Sequence, residues 1–393
     1  MEFEFVSVPR PTGELQKRVG YDVVLLIVTL ALCTAGGIFV LTSSAAHAWA
    51  SFKGNTYAIF QSHMIRLMIG LVLMVILSFI DYRVFARIAR GVIVLALATL
   101  IAVLFMPQPH GATAHRWIYI YGFSFQPAEL AKFALISYIA MRFAAHDDDP
   151  FSSDRRKIFT GIAILTVIML SLIVFEPNLS MALMIFATVS LMMFIFGFPL
   201  KPLVLLGSAL AIPMGLVAWF TPYMHERLIS YFDSLLHPLK AGYNVKQSLV
   251  GIGHGGVFGI GLGSSTQKHF FLPEPYKDFI YSIVGEELGF WGATLLLLAF
   301  LLLLTRAWRI SRNAPDQFGY YLGTGITFAL ALPFIINVGV TLGVLPATGQ
   351  PLPFISYGGS ALMMNLGAVG ILLNISKQAH KSEVQYLNPS DFK

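Results

Sequence analysis

The 393-residue chain carries 26 Lys and Arg against 20 Asp and Glu, yet charged residues make up only 12% of it and its mean hydropathy is +0.72. A soluble domain of this length would need far more polar residues to cover its surface, so a soluble fold is excluded. The net charge of +6 reads as membrane topology rather than nucleic-acid binding, and one cysteine, Cys33, excludes an internal disulfide and makes a poor metal site.

Apolar runs long enough to span a bilayer, about 20 residues each, fall at Val23–Leu41, Ile59–Ile80, Ala89–Phe105, Ala128–Phe143, Ile158–Phe175, Leu179–Phe196, Leu203–Phe220, Phe279–Leu304, Tyr320–Val344 and Ser360–Ile375. The fold class expected is all-α, a polytopic bundle of about ten spans with a large extracytoplasmic loop between spans seven and eight. Residues 1–22 form a cytoplasmic leader, 23–376 one membrane domain that includes the loop at 221–278, and 377–393 a cytoplasmic tail. The small residues Ser44–Ala48 suit signal cleavage, but the long polar leader and long apolar core speak against it.

Basic residues orient the bundle. With the N-terminus inside, cytoplasmic segments hold Arg10, Lys17, Arg18, Arg83, Arg87, Arg90, Arg142, Arg155, Arg156, Lys157, Lys201, Arg306, Arg309, Arg312, Lys377, Lys381 and Lys393, which is 17 of 26. Short outer loops hold only Lys53 and Arg116. Both termini are therefore expected in the cytoplasm.

Two outer segments are rich in candidates. Pro107–Gln126 carries an aromatic and basic cluster around Arg116 and Trp117; Thr221–Asp278 is too long for a connector and opens with an amphipathic stretch at Glu226–Phe232. Gly251, Gly253 and Gly256 have GxGxxG spacing, but no βαβ unit surrounds them and no Gly-Lys-Ser/Thr follows, so a nucleotide site is not indicated. These glycines read as a compact loop, as backbone approaching a polar headgroup, or both. No histidine spacing suggests zinc.

Charges in or beside spans carry more information, because hydrocarbon penalises them. Glu129 and Lys132 share a helix face and read either as a structural ion pair or as the lining of an outer cavity. Glu286 and Glu287 are neighbours, which predicts that they face different partners; Arg66 has no local partner and reads as snorkelling outward. Asp278 stands where the long loop meets span eight, as a helix cap or as a base at the water–lipid boundary.

Several motifs in order resemble one family. They are Asp81-Tyr82-Arg83, Arg116-Trp117-Ile118, Gln126-Pro127-Ala128-Glu129-Leu130-Ala131-Lys132, Gln247-Ser248-Leu249, Gly261 through Lys268, Leu272-Pro273-Glu274 through Ile280, Gly285-Glu286-Glu287-Leu288-Gly289 and Pro351 through Ser360. Together they are similar to the SEDS proteins FtsW, RodA and SpoVE over nearly the whole chain, closest to the division branch. The resemblance implies a ten-span polymerase of the bacterial inner membrane that joins lipid II into glycan strands on the extracytoplasmic side. An elongation polymerase of the RodA type and a lipid II flippase are the alternatives. Its catalytic carboxylate falls on Asp278, and its substrate-binding positions on Arg116, Glu129, Lys132, Gln247, Lys268 and Ser356. It leaves room for a divalent cation, Mg or Mn, and implies no other cofactor. A class B penicillin-binding transpeptidase and other divisome proteins are the implied partners, with membrane lipid and without nucleic acid. Two departures stand out: Tyr276-Lys277 where the family has His-Thr, and Glu176-Pro177-Asn178-Leu179-Ser180 where it has Glu/Gln-Pro-Asp-Leu-Gly. A mechanism needing Asp at position 178 fails here.

Overall fold

The computed structural model describes residues 20–387 except 107–115, 121–122, 146–152, scattered positions between 200 and 221, and 237–241. The apolar runs fold as α1 (Val23–Ser51), α2 (Ala58–Phe79), α3 (Arg83–Phe105), α4 (Pro127–Ala144), α5 (Ser153–Phe175) and α6 (Leu179–Ile195). Then come α7 (Pro222–Leu236), α8 (Tyr243–Gly255), α9 (Ile280–Arg312), α10 (Gln317–Thr341) and α11 (Ser360–Leu387). Among the described residues, seven helices are long and apolar enough to cross a membrane. Of the remaining expected spans, α6 is apolar but only 17 residues long, α4 carries Glu129, Lys132 and Arg142, and Leu203–Phe220 lies largely outside the described residues. The basic residues Arg10, Lys17, Arg18 and Lys393 lie outside them too.

Side chains such as Phe79, Phe105, Phe175, Val94 and Leu295 are well exposed on the helix flanks. Such a belt suits lipid and would aggregate in water, so the chain is a multi-pass membrane protein. The belt is not evenly shared. Of the most apolar window, 67% is buried in α10 and 78% in α11, against 28% in α3 and 22% in α9. Thus α10 and α11 form the centre, and α11 packs along α2. Small residues permit that approach: a Cβ on Gly370 would lie 2.3 Å from the Met74 carbonyl, and one on Gly70 2.6 Å from Leu366.

One end of the bundle is locked by polar contacts. Asp22 caps α1 through the Leu25 N–H at 2.8 Å and holds Arg306 at 2.7 Å. Asp316 caps α10 through the Gly319 N–H at 2.8 Å and accepts from the Tyr82 hydroxyl and the Arg83 Nε, each at 2.7 Å.

At the other end the long loop is an ordered assembly. The helix α9 breaks at Gly289, whose φ of 68° is left-handed. The break frees the carbonyls of Glu286 and Glu287, which accept from the Ile260 and Gly261 N–H at 3.1 and 3.0 Å, while the Phe290 N–H donates to Gly256 at 2.9 Å. The glycine-rich run is therefore the counterpart of the kink. Glu286 and Glu287 both face the segment 265–268, contrary to the expectation that neighbours diverge. Glu286 accepts from the Thr266 N–H at 3.0 Å and the Thr266 hydroxyl at 2.7 Å and meets His254 at 3.0 Å; Glu287 meets Lys268 at 3.4 Å and the Ser265 N–H at 3.3 Å. The segment curls over α9 closely enough for its two ends to reach neighbouring carboxylates.

Candidate active site

The first outer cluster folds as a hairpin, β1 (Ile118–Ile120) against β2 (Phe123–Phe125). Two short strands were not foreseen from the sequence, and they leave the helical class unchanged. The hairpin forms one wall of a cavity of about 510 Å³, through Arg116, Trp117, Tyr119 and Ser124. The turn between α5 and α6 supplies Pro177 and Asn178, the start of α6 supplies Ser180, α7 supplies Arg227, and the segment before α9 supplies Lys277 and Asp278. The loop between α10 and α11 closes the cavity with Gly349, Gln350, Tyr357 and Gly358. The volume lies within the roughly 300–1,000 Å³ typical of ligand pockets.

Asp278 is half-buried and its carboxylate makes no hydrogen bond to any described residue. The residue at the start of α9 is Phe279, without a side-chain cap, so Asp278 does not serve as the helix cap. Desolvation pushes its carboxyl up to about 6, Glu274 adding to the shift while Lys277 and Arg227 oppose it. The backbone of Asp278 is fixed even though the carboxylate is not. Buried Asn337 of α10 donates to the Asp278 carbonyl and to the Gln350 carbonyl, both at 2.8 Å, and so pins two walls of the cavity at once. The Tyr357 N–H donates to the Tyr276 carbonyl at 2.9 Å. Glu274 and Phe354, in the segments that lead to these walls, are left-handed at φ 42° and 64°, strain of the kind that collects at functional sites.

Arg116 donates to the carbonyls of Glu176, at 3.2 Å, and Pro177. Behind it, Glu176 is fully buried and neither carboxylate oxygen finds a hydrogen-bond partner. Burial pushes its pKa up to about 8, opposed by Arg116, so Glu176 is largely a neutral acid at pH 7.

The other expected binding residues lie elsewhere. Lys132 sits 2.8 Å from Glu129 with both side chains buried, close but poorly aligned for a hydrogen bond. Lys268 is bound to Glu287 and the Gly263 carbonyl. The Ser356 hydroxyl accepts from the Leu352 N–H at 2.9 Å, and Gln247 lies on α8 away from the lining. Of the seven positions, the structure brings Arg116 and Asp278 onto the cavity.

The sequence reading gave no site role to Arg227 or Lys277, and it read Arg66 as snorkelling outward. Arg66 is buried on α2 instead of snorkelling, and bonds the Tyr357 hydroxyl, Ser62 at 2.9 Å and Ser124 at 3.3 Å. The signal was available: an arginine inside an apolar run is costly unless protein surrounds it. A divalent ion held by protein needs several oxygen ligands. Among the described residues the cavity supplies one carboxylate amid three cations, and no group of three metal-ligating side chains occurs. These residues do not make a cation site of their own.

The described residues form a helical membrane bundle with a polar cavity at one end, lined by three cations and one carboxylate, which places the chain among integral membrane proteins with a candidate site built from charged side chains. The family model for FtsW, RodA and SpoVE, described as cell cycle protein, matches residues 23–381, and the chain belongs to that family. It is 38% identical to stage V sporulation protein E of Bacillus subtilis (strain 168), over 92% of this chain and 98% of that one. It is 37% identical to a probable peptidoglycan glycosyltransferase FtsW of Geobacter metallireducens, over 91% and 94%. Among solved structures, a chain from a study of how a peptidoglycan synthase complex coordinates polymerization and crosslinking superposes with a TM-score of 0.73 at 27% identity, covering 93% of this chain and all of that one. A variant of the rod-shape-determining protein RodA of Thermus thermophilus gives 0.67 at 25% identity, over 92% and 99%.

Proposed function

We propose that this protein is a peptidoglycan glycosyltransferase that polymerises lipid II at the extracytoplasmic face of the inner membrane, in the division branch of its family. The observation that carries the reading is Asp278, a carboxylate free of partners in a cavity shared with Arg116, Arg227 and Lys277. A sugar hydroxyl of one substrate gives its proton to Asp278 as its oxygen attacks the anomeric carbon of the other. The bond from that carbon to the lipid diphosphate breaks, and the diphosphate leaves with the electron pair. A base with a pKa of about 6 is mostly ionised at neutral pH and still basic enough to share a proton. The three cations face charge that grows on the departing diphosphate. The likeness to relatives named FtsW, at 37% identity over nine-tenths of the chain, supports the division branch.

Positive charge in the loops supports cytoplasmic termini, with the cavity on the outer side. The likeness to a chain from a synthase complex supports a transpeptidase partner of the class B penicillin-binding type. The test is polymerisation of labelled lipid II by purified protein with its transpeptidase in detergent, where transport has no meaning. Long glycan is expected; none from the wild type would favour a lipid II flippase. For the orientation, single cysteines at exposed Asn313 and Ser264, with Cys33→Ser, should differ in intact cells. Ser264→Cys should react with an impermeant thiol reagent and Asn313→Cys should resist it; the reverse would invert the bundle.

A further inference from the structure

Beside the main cavity lies a second of about 230 Å³, formed between α7 and the start of α8. The two share Arg227 and Ala347, and the partition between them is one side chain thick: the Arg227 Nη1 donates to the Ala347 carbonyl at 3.2 Å. The Tyr231 hydroxyl, bound to the Val344 carbonyl at 2.9 Å, ties the same helix to the same loop. The chemistry of the two differs. The first presents three cations to one carboxylate, whereas in the second Glu226 stands beside Arg227 and the rest of the described lining is neutral. That wall offers the exposed ring of Tyr243, the amide of Asn244 and the hydroxyls of Ser230 and Ser234. Both serine hydroxyls donate to their own helix, to Arg227 at 3.1 Å and Tyr231 at 2.6 Å, which leaves their oxygens free to accept. An aromatic face beside an amide and hydroxyl acceptors matches a sugar ring, apolar on its C–H face and polar at its edge. A volume of about 230 Å³ falls below that of a drug-sized site and suits one ring.

This inference rests on the polymerase reading. Joining two sugars puts saccharide on both sides of the reacting carbon, and the second cavity adjoins the one that holds Asp278, across Arg227. We propose that the second cavity is a saccharide subsite for the glycan chain, with Tyr243 under one N-acetylhexosamine ring, Asn244 and Ser234 at its polar edge, and Arg227 dividing it from the reacting end.

The probe is chitotetraose, a β-linked N-acetylglucosamine tetramer, followed by saturation-transfer NMR on the full chain in detergent. Chain length from lipid II is read in parallel on gels at equal substrate consumed. Tyr243→Ala removes the ring and Ser234→Trp fills the cavity. Each should weaken chitotetraose binding about fivefold to tenfold and shift the product to shorter chains. Tyr243→Phe keeps the ring and should behave as wild type, which separates stacking from a folding defect. Wild-type binding and chain length in both disruptive variants would overturn the subsite, as would equal losses in the Ala and Phe variants. If wild type makes no polymer, the polymerase reading fails by itself. Chitotetraose binding that Ser234→Trp abolishes would then still support a saccharide site, and binding indifferent to it would remove that too.

Discussion

The carboxylates at one end of the bundle and those in and behind the cavity at the other are treated in opposite ways. At one end Asp22 and Asp316 each cap a helix and each hold an arginine at 2.7 Å. At the other, Asp278 caps nothing and makes no side-chain hydrogen bond, and Glu176 is buried with both oxygens unpartnered. A folded chain loses stability by leaving such groups unpaired. Satisfied carboxylates hold the helices together, and unsatisfied ones keep reactive capacity available. Asn337 and Tyr357 make the same division at finer scale, fixing the backbone around Asp278 through its carbonyl and that of Tyr276 while leaving the carboxylate untouched.

The largest expected effect of breaking this contrast is at Asp278. Asp278→Asn keeps shape and removes basicity, and should cut glycan synthesis about 10²–10⁴-fold with unchanged membrane insertion and melting. Near-normal polymer on a gel would remove Asp278 from catalysis. The buried pair in α4 comes next. Lys132→Ala strands Glu129 in a buried site, with an expected loss of about 3–5 kcal/mol, visible as poor yield and early melting in detergent. Glu129→Gln with Lys132→Met should restore yield; restored activity as well would reduce the pair to a bridge, and activity still lost would give it a part in substrate handling. At the satisfied end, Asp316→Ala removes a cap and the partner of Arg83 and Tyr82. A loss of about 0.5–2 kcal/mol is expected, with activity per folded molecule preserved. Activity lost without a stability change would erase the distinction between the ends.

The satisfied end was the harder to read from sequence, and the unsatisfied end the easier. Among the described residues, hydropathy located the seven helices long and apolar enough to span, because backbone in lipid must be helical, and it placed the start of α9 within one residue, at Phe279 for Ile280. Asp278 and Arg116, which both line the cavity, were named through the family resemblance; charge at a span boundary alone left Asp278 between a cap and a base. The partners of Asp22 and Asp316 were not, since Arg306 is 284 residues from Asp22 and Arg83 is 233 from Asp316, and contacts at that separation leave no local pattern. Lys268 turned to Glu287, only 19 residues on, because the kink and the glycine-rich run bring the two together. The kink at Gly289 went unseen because the helix resumes beyond it in the same apolar register. Arg227 looked like the polar face of an interfacial helix, and only the packing of α7 against the loop at 344–347 turns it toward two cavities.

The smallest expected effect is a divergence of activity and stability with pH, carried by the two unpaired acids. Asp278 titrates at about 6 and works as a base when ionised, so the rate should rise with pH, with about a tenfold gain from pH 5 to 7. Stability should move the other way. A carboxyl whose pKa is raised by folding binds its proton more tightly in the native state, so its contribution is complete below the unfolded value and fades as pH rises through the folded one. For Asp278 that window runs from 3.8 to about 6, and for Glu176 from 4.5 to about 8. Both slopes follow from burial without a partner, and the capped acids Asp22 and Asp316 are not needed for either. Glu176→Gln separates them: it should flatten the fall in melting temperature between pH 6 and 8 and leave the rise in rate in place. A melting profile in the Gln variant that still falls across that range would show that Glu176 ionises freely in the folded protein, and that the packing behind Arg116 is open to water.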